Sequence, residues 1–337
     1  LLSDELWKRS GHYQHYKDTM YFTCVDHYNY AIKPMNCPGS YLIYKNRPRS
    51  YRELPLKLAE FGHVHRHELS GVLHGLLRVR AFTIDDTHIF CTIDQLEQEI
   101  LNILNISFRI LKKCEFNNIG LALSTKPENA MGSDEIWTKA TDALKGALKS
   151  YGHPYKVKEG EGAFYGPKIE VVIKDSMNRE WQCSTVQVDF FAPENFNLNY
   201  VAPSGNYERP VVIHQAIYGS LERFFAILLE HYKGQFPFWL APEQIRILTI
   251  TDEQKEYAQE ILKEFKSKGF RIEIDQSSDP ISGKIKSAQL DKVPWMFIIG
   301  KKEEGNKTVT LRYNSREQEF DLTVNELLIR AQELNNF

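Results

Sequence analysis

The sequence FGHVHRHELSGVLHGLLRVRAFTIDDTHIFC, residues 61–91, predicts two antiparallel strands joined by a loop. Residues 62–68 form the first strand, and the apolar positions within residues 76–91 indicate the returning strand. The serine and the glycines between them predict a turn, because these residue types interrupt regular structure. The segment therefore predicts an arginine and an acid on one strand and a second arginine on its neighbour.

Arg66, Glu68 and Arg78 suit the binding of a nucleoside triphosphate. The planar guanidinium of arginine neutralises phosphate oxygens at two points and stays charged at any working pH. For Arg66 and Glu68 alone, a salt-bridged surface hairpin is the plainer interpretation. The full pattern of Arg-x-Glu, a loop, Arg78 and then Phe82 favours the nucleotide site.

The composition is typical of an ordinary globular protein. The chain has 337 residues, of which 42% are apolar and 26% are charged, which suggests two domains or one large domain with an appendage. It contains no transmembrane-length apolar run and no signal-peptide pattern. We therefore expect a soluble, cytoplasmic protein with no membrane partner.

The net charge and the cysteine content exclude few classes of protein function. The net charge is −2 at pH 7, so the global charge does not indicate a nucleic-acid partner, although phosphate contacts need only a local basic surface. The five cysteines are too few and too scattered for a disulfide scaffold. We expect reduced thiols, with room for one metal ligand among them.

The pattern along the chain indicates two domains. Apolar residues at helical spacing predict helices over residues 94–113 and 133–151, and alternating stretches elsewhere predict sheet strands. The character changes near residues 237–242, after which short strands alternate with helices. We therefore predict a first domain over residues 1–240 and a small α/β domain over residues 241–337.

Cys37, His88 and His214 form a set that suits a metal ion. Taken singly, a cysteine is usually a small core residue, and a histidine beside apolar residues is usually a core or surface imidazole. One cysteine with two histidines matches a catalytic zinc that keeps its fourth position open. The spacing is too long for a local zinc-finger rule, so spacing alone leaves open whether the three converge.

Several segments of the chain carry a resemblance to one known family. The hairpin resembles motif 2 of the class II aminoacyl-tRNA synthetases, and residues 219–223 resemble motif 3. The segments that resemble the threonyl-tRNA synthetase family are, in chain order, PMNCPG, SYRELPLKLAEFG, SGVLHGLLRVR, DDTHIF, EGAFYGPKIE, WQCSTVQVDF, IYGSLERF and FPFWLAP. Together they cover essentially the whole chain.

The resemblance implies an α+β fold. The first domain is expected to be the class II catalytic domain, an antiparallel sheet flanked by helices. The second is expected to be a small α/β anticodon-binding domain with a mixed five-stranded sheet. The motif 1 strand, which builds a dimer interface in the family, is expected upstream of Leu1. The family's N-terminal editing domains are not found in this sequence, which leaves open a catalytic core from a longer protein or an editing-free form. A homodimer through the class II core is implied.

The resemblance also implies one zinc ion per chain, held by Cys37, His88 and His214, with the substrate threonine completing the coordination. Threonine and valine are nearly isosteric, and an apolar pocket separates such a pair by only about a hundredfold. A metal that takes both the amino group and the side-chain hydroxyl would demand the hydroxyl. Asp86 is implied as the acceptor of that hydroxyl's hydrogen bond, and Tyr165 as part of the amino-acid pocket.

A nucleotide site for ATP with Mg²⁺ is implied in the same way. Arg66 is expected to bridge the α-phosphate and the threonine carboxylate, while Arg78 and Arg223 hold the outer phosphates. Phe82 is expected to stack on adenine. The remaining implied nucleotide contacts are Glu68, Gln182 and Thr185.

The implied macromolecular partner is threonine tRNA. His12 matches a family histidine that helps to remove a proton from a ribose hydroxyl of the terminal adenosine. Arg312 matches a position that contacts the anticodon. The implied catalytic residues are therefore Arg66, Arg223 and His12.

Two departures from the family pattern support an alternative. Ile84 stands where glutamine is usual, and Gln215 stands where arginine is frequent. They favour a synthetase paralogue that binds threonine or RNA as a regulator without charging tRNA, although the retained arginines and the Cys/His/His set oppose it. A class II relative for proline or serine is a second alternative, which the same Cys/His/His set disfavours.

Overall fold

The computed structural model describes residues 1–175 and 177–336 and divides into two compact units, Leu1–Leu228 and Leu229–Phe337. Each unit has its own main sheet, of seven strands in the first and of five in the second. The domain boundary predicted after residue 240 stays a prediction.

The main sheet of the first unit is antiparallel, except for one parallel pair of strands at its edge. Its strands and those of two small sheets are β1 Leu2–Ser3, β2 Tyr21–Val25, β3 Tyr28–Ile32, β4 Leu56–His65, β5 Ala81–Cys91, β6 Ile119–Ser124, β7 Tyr155–Lys158, β8 Lys168–Lys174, β9 Glu180–Asp189, β10 Tyr200–Val201, β11 Tyr207–Glu208 and β12 Val211–Ala216. The large sheet has the order β4-β5-β12-β9-β8-β6-β7, in which β6 and β7 are parallel. The predicted class II sheet is therefore confirmed.

Helices flank this sheet and carry apolar stripes toward it. They are α1 Asp4–Arg9, α2 His12–His15, α3 Cys37–Lys45, α4 Leu96–Lys113, α5 Asp134–Tyr151, α6 Phe191–Asn195 and α7 Leu221–His231. The two long helices confirm the helical spacing of the sequence, and Ser133 caps α5 by accepting from the backbone N–H of Ile136 at 3.4 Å. No helix of the described residues has both the length and the apolar composition to cross a membrane.

The loop between β4 and β5 is longer than the sequence suggested. Residues 66–80 lie outside both strands, so the prediction that Arg66, Glu68 and Arg78 lie on paired strands is wrong. A short turn and one isolated bridge replace the ladder there. Leu76, which suggested the returning strand, is 45% exposed, so strand pairing at this point would bury little apolar surface.

A β-bulge in β9 changes the face on which its side chains lie. Two successive residues of β8 pair with Ser184 and Gln182, which leaves Cys183 between them without a paired residue. One extra residue of this kind reverses the alternation of side chains beyond it. Gln182 therefore joins the face that holds Thr185, and its Nε2 donates to Thr185 Oγ1 at 2.7 Å.

The second unit is a small α/β domain with a mixed sheet. Its elements are β13 Ile245–Thr249, α8 Lys255–Ser267, β14 Ile272–Ile274, α9 Ile281–Leu290, β15 Trp295–Ile299, α10 Lys301–Asn306, β16 Thr308–Tyr313, β17 Gln318–Thr323 and α11 Val324–Asn335. The order is β14-β13-β15-β16-β17, with parallel pairing among the first three strands and antiparallel pairing beyond them. The predicted mixed five-stranded sheet is confirmed. Ile247, Phe265 and Phe297 lie in its core without solvent exposure.

Candidate active site

The candidate site lies on one face of the seven-stranded sheet. Alternate residues of a strand share a face, and directly paired residues share it too. His214 of β12 pairs with His88 of β5 on one side and with Gln187 of β9 on the other, so these three side chains share a face. The same rule adds Ile84, Asp86, Lys168, Thr185 and Ala216.

Three soft ligands meet at the end of this face. One ligand atom from each of Cys37, His88 and His214 lies within 4.8 Å of those of the other two. The histidines are cross-strand neighbours, and Cys37 is the first residue of α3, where Pro38 follows it in the first turn. The structure thus brings together three residues that lie far apart in the sequence.

Hydrogen bonds to the second ring nitrogens select the atoms that face the cluster. His88 Nδ1 lies 3.1 Å from Ser40 Oγ, and His88 Nε2 is buried without a hydrogen-bond partner among the described residues. His214 Nε2 donates to Asp189 Oδ2 at 3.1 Å, which leaves Nδ1 as its free nitrogen. A buried nitrogen with no partner is costly, and a metal ion would satisfy it. The donor set fits zinc.

Asp189 is itself fixed by the backbone. Its Oδ1 accepts from the N–H groups of Phe191 and Ala192 at 2.7 and 2.8 Å. Its Oδ2 accepts from the hydroxyl of Tyr41 at 3.2 Å, in addition to His214. A carboxylate held in this way orients an imidazole and raises its basicity toward a cation.

The electrostatics of the cluster favour a thiolate. Burial raises the pKa of the Cys37 thiol, but the positive charge of His214 and the neighbouring imidazoles of His12 and His88 outweigh burial and hold this pKa well below its ordinary value. Burial lowers the pKa of His214, but the Cys37 thiolate and Asp189 raise it above its ordinary value. The thiolate is the form of cysteine that binds metals.

A cavity of about 320 Å³ opens beside the cluster. Asp86 and Tyr165 line it together with Cys37 and His214, and the Tyr165 ring centroid lies 5.1 Å from that of His214. The amide of Asn36 donates to Asp86 Oδ2 at 2.9 Å. Hydroxyl, carboxylate, thiolate and imidazole groups therefore converge on a space of amino-acid size.

A second cavity of about 240 Å³ holds the predicted nucleotide residues. It is lined by Arg66, Glu68, Arg78, Phe82, Gln182, Thr185 and Arg223, among others. Its lining shares five residues with the first cavity, which we call the shared wall: Arg66, Ile84, Gln182, Thr185 and Ala216. The two cavities adjoin along this wall, and we call them the amino-acid end and the nucleotide end of one cleft, after the ligands predicted from the sequence.

The arginines of the nucleotide end are held by partners that a phosphate could replace. Arg78 donates through two nitrogens to one Glu68 oxygen at 3.1 and 3.0 Å. Arg223 Nε donates to the Leu77 carbonyl at 2.8 Å, and burial lowers the pKa of its guanidinium. The guanidinium of Arg66 lies 5.1 Å from the ring centroid of Phe82. Phosphate oxygens are stronger acceptors than the carbonyl.

Asp85 ties the loop before α7 to β5. Its carboxylate accepts from the backbone N–H groups of Ile217, Tyr218 and Gly219 at 2.8–3.1 Å. Burial raises the pKa of Asp85 to about 6, and these hydrogen bonds oppose the shift. Asp85 therefore fixes the loop that precedes α7, the helix that carries Arg223.

His12 and Arg312 lie in different surroundings. His12 is buried, with Nδ1 2.8 Å from Ser10 Oγ and Nε2 3.1 Å from Met35 Sδ, and it shares a void of about 10 Å³ with Cys37. Arg312 belongs to β16 of the second unit, where its Nε is buried without a partner among the described residues.

Comparison with known proteins relates this geometry to a family. A family model of the tRNA synthetase class II core domain (G, H, P, S and T) matches residues 22–232, and a model of an anticodon binding domain matches residues 244–334. A crystal structure of the RNA binding domain of threonyl-tRNA synthetase from Cryptosporidium parvum has a TM-score of 0.93 and 43% identity, over 99% of this chain and 84% of that chain. The chain belongs to the threonyl-tRNA synthetases.

Curated relatives extend this placement. A threonine–tRNA ligase of Acetivibrio thermocellus is 55% identical over 312 residues, and one of Clostridium kluyveri is 50% identical over 333 residues. These alignments cover 93% and 99% of this chain but 49% and 52% of the relatives, so the chain spans about half of their length. Prolyl-tRNA synthetase from Cryptosporidium parvum, at 17% identity and TM-score 0.73, shares the fold. The predicted resemblance to the threonyl-tRNA synthetase family is confirmed.

The sequence analysis missed three residues of the candidate site: Asn36, Asp85 and Asp189. Each acts on a neighbour that is remote in sequence, so no local spacing pointed to it. The sequence did contain a signal for two of them: Asn36 directly precedes Cys37 in PMNCPG, and Asp85 directly precedes Asp86 in DDTHIF. Asp189 ends an alternating strand, and only the pairing of β9 with β12 brings it to His214.

Proposed function

We propose that the chain is the catalytic core and anticodon-binding part of a threonine–tRNA ligase. It would activate threonine with ATP and attach it to the terminal adenosine of threonine tRNA. The observation that carries the proposal is the approach of Cys37, His88 and His214 to within 4.8 Å of one another, beside an arginine-lined cavity. Relatives at 50–55% identity that are named threonine–tRNA ligases support the same substrate.

The proposed metal is zinc, held by the Cys37 thiolate, by His88 Nε2 and by His214 Nδ1. This donor set suits a tetrahedral site that keeps one position for substrate. When bound, zinc would supply Lewis acidity toward the amino group and hydroxyl of threonine. Asp86 would accept a hydrogen bond from that hydroxyl, and valine, which has no hydroxyl, would forgo this hydrogen bond and be rejected.

The first chemical step needs alignment rather than a base. The threonine carboxylate, already ionised, attacks the α-phosphorus of ATP, a carboxyl oxygen–phosphorus bond forms, and pyrophosphate leaves. Arg66 lines both cavities, which supports its proposed role of bridging the α-phosphate and the threonine carboxylate. Arg78 and Arg223 would exchange their present partners for the outer phosphates with Mg²⁺, and Phe82 would stack on adenine. Glu68, Gln182 and Thr185 would complete the nucleotide contacts.

The second step would involve the tRNA. A ribose hydroxyl of the terminal adenosine attacks the adenylate carbonyl and releases AMP, with His12 proposed as a participant in the proton transfer. Arg312, whose Nε has no partner among the described residues, is the proposed anticodon contact. A homodimer is proposed as well, supported by the edge strand β4, on which Phe61 is 73% exposed.

The test is ATP–pyrophosphate exchange with threonine, serine and valine measured side by side. We expect threonine well above serine, and valine near the background, because only the first two carry the hydroxyl. Efficient exchange with valine would contradict the metal–hydroxyl account. The metal content of the purified protein, expected near one zinc per chain, separates this family from the synthetases for proline and serine.

One observation favours the regulatory alternative. Ile84 and Gln215, which depart from the family pattern, both line the amino-acid cavity. An apolar side chain at this place removes a polar contact to substrate and weakens binding. A protein that binds threonine without any pyrophosphate exchange would establish this alternative over the ligase.

A further inference from the structure

A buried amide holds the carboxylate that faces the amino-acid cavity. Asn36 is 3% exposed, and its Nδ2 donates to Asp86 Oδ2 at 2.9 Å. Its Oδ1 is buried and has no hydrogen-bond partner within residues 1–175 and 177–336. Asn36 does not belong to the lining of the 320 Å³ cavity, whereas Asp86 does. The amide therefore reaches the cavity only through Asp86.

A glycine makes the space for this amide. Gly62 lies within β4, opposite Ile84 of β5. A Cβ atom built on Gly62 would overlap the side-chain amide of Asn36, and no left-handed φ is found at this position. Space, and not backbone conformation, is what requires glycine here. Glycine inside a strand often marks such a close approach.

Both features work against stability. A buried acceptor without a partner carries a desolvation penalty. Glycine within a strand loses more conformational freedom on folding than other residues do. Two unfavourable features therefore accompany the hydrogen bond from Asn36 to the Asp86 carboxylate.

We propose that Asn36 is a positioning residue that sets the Asp86 carboxylate for the hydroxyl of the amino-acid substrate, and that Gly62 is required to admit Asn36. Asn36 occupies Oδ2, so that Oδ1, 3.7 Å from His88 Nδ1, is the oxygen left for the substrate. Amino-acid selection then depends on a residue that never touches the amino acid. This inference rests on the proposed function of Asp86 as the hydroxyl acceptor.

A double-mutant cycle tests the inference. Asn36→Ala removes the hydrogen bond, Gly62→Ala displaces the amide, and the double variant removes both the amide and the overlap. Because a hydrogen bond to a charged group is lost, each single variant should raise the KM for threonine about tenfold in pyrophosphate exchange, with kcat changed much less. The double variant should resemble Asn36→Ala alone, since the two residues act through one contact.

The controls separate positioning from general damage. Gly120→Ala changes another strand glycine of the same sheet, where the new Cβ would meet only the Val172 carbonyl at an ordinary 3.8 Å, and it should leave KM unchanged. Zinc content should stay at the wild-type level in all variants. Asn36→Asp keeps the size of the side chain but loses the donor, and it carries the test if Asn36→Ala fails to fold.

Three results would overturn the positioning role. They are an unchanged KM for threonine in the single variants, additive effects in the double variant, and loss of zinc from Asn36→Ala. A Gly62→Ala variant that folds only when combined with Asn36→Ala would support it. Absence of threonine-dependent exchange in the wild-type chain would instead reject the proposed function itself.

Discussion

At the amino-acid end of the cleft, Cys37, His88 and His214 are 5%, 0% and 8% exposed, and each histidine is anchored through its second nitrogen. At the nucleotide end, Arg78 is exposed and pairs with Glu68 on the same loop. The first end is held by these hydrogen bonds and carries a buried nitrogen, His88 Nε2, that has no hydrogen-bond partner among the described residues. At the second end, the charge of Arg78 is already paired within the protein.

This difference indicates two ways of preparing a binding site. Burying His88 Nε2 without a partner among the described residues costs stability, and a bound metal would offset that cost. An exposed ion pair such as Arg78 with Glu68 contributes only about 0–1 kcal/mol, so phosphate can displace it with little loss. The amino-acid end should therefore be sensitive to metal, and the nucleotide end to geometry.

The largest effect is expected at the amino-acid end. Cys37→Ser removes the thiolate, so zinc should fall from about one per chain to near zero and threonine activation should be lost with it. Metal analysis and pyrophosphate exchange measure the two effects. Cys24→Ser, at an exposed cysteine, is the control. Full zinc content in Cys37→Ser would break the distinction between the two ends.

At the nucleotide end, Arg66→Lys keeps the charge but loses the planar fork. We expect kcat/KM for activation to fall about 100-fold, because one point charge cannot align two reacting groups. Zinc content should not change, which distinguishes this variant from Cys37→Ser. Arg109→Lys, on the exposed side of α4, is the matched control. A variant with normal activation would show that charge alone suffices at this end.

Asp189→Asn tests whether the hydrogen bond to Asp189 orients His214 at the amino-acid end. The amide cannot accept as a charged carboxylate does, so His214 should be less well oriented and zinc should bind about 10–100-fold more weakly. Competition with a chelator measures the affinity. Asp175→Asn changes another buried aspartate that accepts from backbone N–H groups, at 2.9 Å from Met177 and Arg179, and should leave the affinity unchanged. Equal affinity in both variants would contradict the orienting role.

The smallest expected effect is a change in stability through Asp85, which holds the loop before α7 at the nucleotide end. Burial raises the pKa of Asp85 from 3.8 to about 6, so its ionised form is disfavoured in the folded state. Its contribution to stability is present below pH 4 and is lost as the pH rises through about 6. The difference in unfolding free energy between wild type and Asp85→Asn should therefore shrink by roughly 2 kcal/mol from pH 4 to pH 7.

Urea denaturation at each pH measures this difference. Asp142→Asn removes an exposed carboxylate of α5 and controls for the change in net charge. A difference between wild type and Asp85→Asn that grows with pH would show that the backbone hydrogen bonds to Asp85 outweigh its burial.

Much of the fold was accessible from the sequence, because long amphipathic helices and alternating strands leave periodic patterns. The helices α4 and α5 and the five-stranded sheet of the second unit were predicted for this reason. Strand ends near the loop were not, since Leu76 is apolar but exposed and gave a false strand signal. Periodicity reports burial only where the apolar residue is in fact buried.

The candidate site divides in the same way. Asp86 and His88 share a face by simple alternation, whereas the convergence of Cys37, His88 and His214 depends on strand order, which spacing does not encode. The family resemblance supplied that set. Gln182 shares its face with Thr185 only because of the bulge at Cys183. The simple alternation of side chains along a regular strand would place Gln182 on the opposite face.

In the proposed ligase, the shared wall would couple two Michaelis constants. Because Arg66, Ile84, Gln182, Thr185 and Ala216 border both compartments, a substitution there should perturb the constant for ATP and that for the amino acid together. Substitutions that change the amino-acid preference without loss of ATP affinity should lie at positions that border only the amino-acid end, such as Asp86 and Tyr165. Directed evolution toward another hydroxy amino acid should therefore collect its substitutions away from the wall.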